Sequence, residues 1–146
     1  MMLKITRLAD YAVLIISSFI GEENKIISAQ QIKKKTRLQI ATINKILAIL
    51  VKKDILIAFR GKKGGYKLKK NLSNISIKEL IEAIEGPVSL TECLDKNAND
   101  CNLFNICITK NTWSIVNNAI KETLENIKIQ DINSSNSVGN NRLFKT

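Results

Sequence analysis

Residues 28–69 read SAQQIKKKTRLQIATINKILAILVKKDILIAFRGKKGGYKLK, and this stretch decides the fold. Ser28 with Gln31 three positions later forms a capping box, which predicts a short basic helix from Ala29 to Thr36. The pattern breaks at Arg37 and Leu38. Beyond them Ile40, Ile43, Ile46, Leu47 and Leu50 share one helical face, so a second helix is expected over about residues 39–53. Two such helices joined by so short a turn, the second after a polar start, have the form of a helix-turn-helix. Residues 55–60 are apolar and extended, residues 61–65 (GKKGG) can only turn tightly, and residues 66–69 alternate like a strand. Together these predict a two-stranded wing. Its glycines permit backbone angles closed to other residues, and its loop lysines face solvent or phosphate.

Upstream, Leu8, Ala12, Ile15, Ile16 and Phe19 recur at helical spacing over residues 6–20, and Gly21 supplies a stop. Ile26 and Ile27 read as extended. Downstream, Ser76 with Glu79 opens a helix to about Ile84 that Gly86-Pro87 closes. No period holds from Val88 to Ile106. A long helix is then expected over about residues 108–128, with Trp113, Val116, Ile120, Leu124 and Ile127 in one stripe. So small a protomer has little surface to cover that stripe, so it should cross the first helix, over residues 6–20, or its own copy in a two-fold dimer. From Asn133 the Asn- and Ser-rich composition predicts a disordered tail.

The fold class expected is therefore mainly α with a small β-wing. A winged helix-turn-helix DNA-binding domain occupies 1–86, a cysteine-bearing loop 87–107, a dimerisation helix 108–132 and a tail 133–146.

Charge distribution assigns the basic half a partner. Residues 1–75 carry sixteen Lys and Arg against four Asp and Glu, or +12, whereas residues 76–146 carry seven against nine, or −2. A uniform lysine bias would not spare the second half, so the first half is the one that meets phosphate. The apolar run from Tyr11 to Ile16 is far short of the ~20 residues a membrane span needs, and no small-residue cleavage site follows it. A cytoplasmic protein without a membrane partner is expected.

The three cysteines, Cys93, Cys101 and Cys107, lie within fifteen residues in the pattern C-x7-C-x5-C. An odd, clustered set does not look like a disulfide framework, and metal or redox chemistry is the leading expectation. Thiolates are soft ligands for zinc or for the iron of a cluster, and a loop lets spaced cysteines converge. Zinc usually wants a fourth strong ligand. Buried small hydrophobes or a thiol switch are the alternatives.

Three further groups of residues resemble a known family: Leu3-Lys4-Ile5-Thr6 with Asp10-Tyr11-Ala12, the wing Arg60-Gly61 with Gly64-Gly65-Tyr66, and the cysteine trio before a long helix. Over about residues 3–130 they are similar to the Rrf-two superfamily of winged-helix iron-sulfur regulators (IscR, NsrR and RirA types). The segment from Cys107 to Ile129, with Asn111, Trp113, Asn117 and Ala119-Ile120, looks most like the branch regulating SUF-system cluster assembly. The resemblance implies a homodimeric transcription regulator that reads a palindromic promoter site in double-stranded DNA. It would control iron-sulfur assembly or iron, redox or nitric-oxide stress genes.

Side chains near the start of a recognition helix reach base edges in the major groove, which nominates Gln39, Thr42, Asn44 and Lys45. Arg60 matches the family's minor-groove arginine, and Lys62 and Lys63 would bind phosphate without sequence preference. For any one of these the plainer role is a solvated or capping side chain.

The resemblance also implies an iron-sulfur cluster on Cys93, Cys101 and Cys107, 4Fe-4S in preference to 2Fe-2S. The histidine that some relatives place three residues after the last cysteine is Lys110 here, and the chain has no histidine. The NsrR-like branch instead takes an aspartate from helix one of the partner subunit, and Asp10 holds that place. Asp10 reads equally well as a favourable charge near a helix start.

Two alternatives remain beside the sensor: a cluster-free thiol redox regulator on the same scaffold, or a cluster carrier whose basic half binds an acidic protein. An enzyme is not expected, because there is no histidine and no nucleophile or phosphate-loop motif.

Overall fold

A computed structural model describes residues 4–91, Leu94 and residues 106–136, the last four of these as backbone only. The described elements run α1 (Arg7–Ser17), α2 (Ala29–Thr36), α3 (Ile40–Lys52), β1 (Leu56–Phe59), β2 (Gly65–Leu68), α4 (Ile77–Glu85), α5 (Lys110–Asn126) and α6 (Ile129–Asn136). A short 3-10 turn, Leu72–Asn74, leads into α4. This is the mainly helical architecture with a two-stranded wing that the sequence predicts.

The helix starts are set by side-chain caps. Thr6 accepts from the Ala9 N–H at α1, and Ser76 accepts from the Glu79 N–H at α4. At α2 the full capping box forms: Ser28 accepts from the Gln31 N–H, and the Gln31 side chain accepts from the Ser28 N–H at 2.8 Å. Each such cap satisfies donors that a helix end leaves orphaned and contributes about 1 kcal/mol.

The apolar faces converge on one core of Ala12, Ile15 and Ile16 from α1, Phe19 from the turn after it, Ile32 from α2, and Ile43, Ile46, Leu47 and Leu50 from α3. Ile55, Leu56 and Leu68 join from the wing's base, Leu80 from α4 and Ile129 from α6. Burying each Ile, Leu or Phe among these stabilises the fold by roughly 1.5–3 kcal/mol.

In the wing, β1 and β2 pair antiparallel with Leu56 opposite Leu68 and Phe59 opposite Gly65. Ile27 adds a single bridge to Tyr66, with both N–H groups donating at 2.8 Å. The extended pair Ile26-Ile27 thus fastens the wing to the body.

The C-terminal region differs from expectation in two ways. First, the predicted continuous helix over residues 108–128 ends at Asn126, and a second helix begins at Ile129. The break is made by long-range backbone pairing: the Ile77 N–H donates to the Ile127 carbonyl and the Ile129 N–H to the Ile75 carbonyl, both at 3.0 Å. Residues 133–136, expected in the tail, belong to α6; residues 137–146 lie outside the described residues. Second, α5 packs on α4, and it is α6 that covers α1. Within one protomer the stripe on α5 stays open, with Trp113 44% and Ile115 70% exposed. No described helix is long and apolar enough to cross a membrane.

Candidate nucleic-acid interface and cysteine site

The apolar face of α3 is consumed by the core, which leaves Ala41, Asn44, Lys45, Ala48 and Lys52 exposed along the opposite side. Asn44 and Lys45 are therefore where the sequence places them. Gln39 is the N-cap of α3, but its side chain makes no capping bond and is exposed. Thr42 is half-buried and flanks this face. Ala41 and Ala48, which the sequence reading does not nominate, share this exposed side. They lie three and four residues from Asn44 and Lys45, the spacing that places side chains on one helix face.

The wing tip is a closed turn. Gly64 donates its N–H to the Gly61 carbonyl at 2.9 Å, so Lys62 and Lys63 occupy the two central positions. A Cβ on Gly64 would lie 2.4 Å from the Phe59 carbonyl oxygen, and one on Gly65 2.6 Å from that of Ile27. Only glycine fits at either position. Arg60 follows β1 directly, and Arg60, Lys62 and Lys63 are all exposed.

Which lysines are available is decided by tertiary contacts. Lys35 donates to the Ser18 carbonyl at 2.9 Å and pairs with Glu22 at 3.0 Å, holding α2 against the end of α1. Lys69 pairs with Asp54 at 2.7 Å, and Lys70 pairs with Glu79. The Lys69 hydrogen bond holds the Asp54 carboxyl below the usual carboxylate range. These three cations serve the fold. Among the described residues, Lys45, Arg60, Lys62 and Lys63 make no ion pair, so their charge is open to an anionic partner.

Of the proposed cluster ligands, Cys93 and Cys101 lie outside the described residues. Cys107 is half-buried just ahead of α5, with its sulfur 3.3 Å from the Thr109 hydroxyl. That hydrogen bond, with further ones from the Thr109 and Lys110 backbone and the Lys110 charge, outweighs burial and holds the thiol below its usual value. A lowered thiol pKa eases the deprotonation that a metal or cluster requires, so the described donor fits one.

The loop's approach is also fixed. Asn117, the buried residue of α5, accepts the Leu90 N–H through Oδ1 at 3.0 Å. The Leu94 N–H then donates to the Thr91 carbonyl at 3.0 Å. Asp10 is exposed in the first turn of α1. Among the described residues no three His, Cys, Asp or Glu side chains gather into a metal site within one protomer.

Residues 5–135 match the Rrf2 family, described as an iron-dependent transcriptional regulator. The chain is 26% identical to the HTH-type transcriptional regulator NsrR of Oceanobacillus iheyensis over 131 residues, 89% of each chain. It is also 26% identical to IscR of Vibrio vulnificus over 137 residues, covering 93% of this chain and 80% of that one. Among solved structures it resembles CymR, the global cysteine regulator of B. subtilis, with a TM-score of 0.73 and 24% identity. That match covers 92% of this chain and 98% of CymR. Each of these relatives is a regulator and none is named as an enzyme.

Proposed function

The chain belongs to the Rrf2 family of transcriptional regulators, and from that premise we propose that it is a homodimer whose DNA binding is governed by an iron-sulfur cluster. Cys93, Cys101 and Cys107 hold the cluster in this reading, with Asp10 contributed by the partner subunit as the fourth ligand. The observation that carries it is the setting of Cys107: a half-buried thiol 3.3 Å from the Thr109 hydroxyl and held below its usual pKa, in a chain whose other two cysteines lie in the same connection between α4 and α5.

A second copy covers the open side of α5, where Ile115, Val116, Ala119, Ile120 and Leu124 line an apolar groove. Two-fold pairing there presents two recognition helices, which suits a palindromic promoter site. Gln39, Thr42, Asn44 and Lys45 read base edges, Arg60 enters the minor groove, and Lys62 and Lys63 bind phosphate. When bound, the cluster supplies sensitivity to iron supply, oxidants or nitric oxide. Asp10 ligation across the dimer couples its state to the orientation of the DNA-binding heads. A 4Fe-4S cluster and control of SUF-type assembly genes are the finer form of this reading.

An anaerobic absorption spectrum with iron and sulfide analysis tests it, on the wild type beside a Cys93/Cys101/Cys107 triple-alanine variant. Brown protein near one cluster per protomer that the variant lacks supports the sensor, and Asp10→Ala should then shorten the cluster's lifetime in air. Colourless, iron-free protein after reconstitution overturns it. The depressed thiol pKa of Cys107 favours one second reading, a cluster-free thiol switch, and disulfide formation under mild oxidant would identify that.

A further inference from the structure

Arg37 ends α2 in the left-handed region, with φ 60° and ψ 14°, and its N–H donates to the Lys33 carbonyl at 2.8 Å. It is one of two described non-glycine residues with positive φ. A side chain with a Cβ is disfavoured there, and glycine is the usual occupant of such a helix end. The conformation is enforced on both sides. Leu38 packs against the core, its N–H directed to the Thr36 hydroxyl at 3.4 Å, and Gln39 must cap α3 immediately afterwards.

Neither packing nor helix electrostatics accounts for an arginine at this point. Its side chain is exposed, and among the described residues it makes no ion pair. Lys33, Lys34 and Lys35 already place three cations in the last turn of α2, so a fourth adds repulsion where the helix dipole is amply compensated. What the position offers is location: the turn of the helix-turn-helix, two residues ahead of the N-cap of α3.

We propose that Arg37 is a DNA phosphate ligand, its guanidinium clamping the backbone beside the groove that α3 enters. Planar, bidentate hydrogen bonding makes arginine suited to phosphate, and such a contact fixes orientation without reading sequence. The backbone strain is thus tolerated for the sake of the side chain. This rests on the DNA-binding reading given above.

The test compares wild type, Arg37→Gly and Arg37→Lys by gel-shift titration over about 50 to 200 mM salt. Two duplexes are used: one selected by the wild type from a random pool, and one of random sequence. Arg37→Gly, relieved of its Cβ, should melt about 2–4 °C higher. Its binding should weaken on both duplexes, and the slope of log affinity against log salt should fall by about 0.9 for each phosphate contact removed. Arg37→Lys should keep most of the slope. An Arg37→Gly variant with the wild-type slope overturns the proposal, as does a loss confined to the selected duplex at unchanged slope, which would mean a purely conformational role. Wild type that binds neither duplex removes the DNA-binding reading itself, whereas wild-type binding with an unaffected variant removes only the role of Arg37.

Discussion

Ser76 Oγ lies 3.3 Å from Glu125 Oε2, so the residue that caps α4 also holds the last turn of α5. The same carboxylate pairs with Lys78 at 3.4 Å and Lys128 at 3.3 Å. With the backbone bridge between Ser76 and Lys128, this is the joint between the winged domain and the proposed dimer helix.

Ser76→Ala removes a buried cap and the link to Glu125 together. Loss of the cap alone costs about 1 kcal/mol, so the melting temperature should drop by about 3 °C or more. Differential scanning calorimetry beside Glu125→Gln, which spares the cap, separates the two contributions. A Ser76→Ala variant as stable as wild type would show that the joint carries no load.

Glu125 also gives the joint a pH dependence. Burial pushes its carboxyl up, but the Lys128 and Lys78 ammonium groups outweigh that and hold it below the usual value. A depressed folded pKa contributes stability that is complete above the unfolded pKa, about 4.3, and is lost as pH falls through the folded one. Melting temperatures should therefore decline below about pH 4.3, and Glu125→Gln should flatten that limb. Because the side chain is half exposed, solvent screening keeps the effect small.

Gly64→Ala should open the wing. The added Cβ would sit 2.4 Å from the Phe59 carbonyl oxygen, a backbone atom that cannot give way without disturbing the strand pair. A cost above about 1 kcal/mol is expected, with weaker binding to every DNA sequence because Lys62 and Lys63 lose their turn. Circular dichroism melts paired with gel shifts measure both.

Arg60→Ala and Lys62→Ala should differ in kind. Removing Arg60 should cost ~1–3 kcal/mol on the specific site, while removing Lys62 should act equally on all sequences and flatten the salt dependence. Equal losses on specific and random duplexes for both variants would refute this division between groove and phosphate contacts.

Asn117→Ala should strand the Leu90 N–H that Asn117 Oδ1 now accepts at 3.0 Å. Leu90 is half-buried, and leaving its N–H unsatisfied costs about 1 kcal/mol. On the proposed cluster reading, with Leu90 three residues ahead of Cys93, iron content per protomer should fall even with all three cysteines present. Undiminished iron in Asn117→Ala would show that the loop holds its course without this anchor.

Local chemistry determined much of this protein from the sequence alone. The Ser28–Gln31 capping box, the Ser76–Glu79 cap, the apolar face of α3 and the glycines of the wing are read within a few residues, because caps, helical periodicity and tight turns are short-range effects. Exposure of Asn44, Lys45, Arg60, Lys62 and Lys63 followed from the same patterns. Tertiary structure decided what depends on distant partners. The stripe through Ile127 keeps helical spacing, yet α5 stops at Asn126 because the chain there pairs with the backbone of Ile75 and Ile77, some fifty residues away. Lys35 and Lys62 look alike in a basic sequence, but Glu22 and the Ser18 carbonyl claim the first. Arg37 reads as a simple break, and only the packing of Leu38 and the start of α3 force its backbone left-handed. Periodicity records which face of an element is apolar; what that face meets, and which charges are left over, is settled by contacts between residues far apart in the chain.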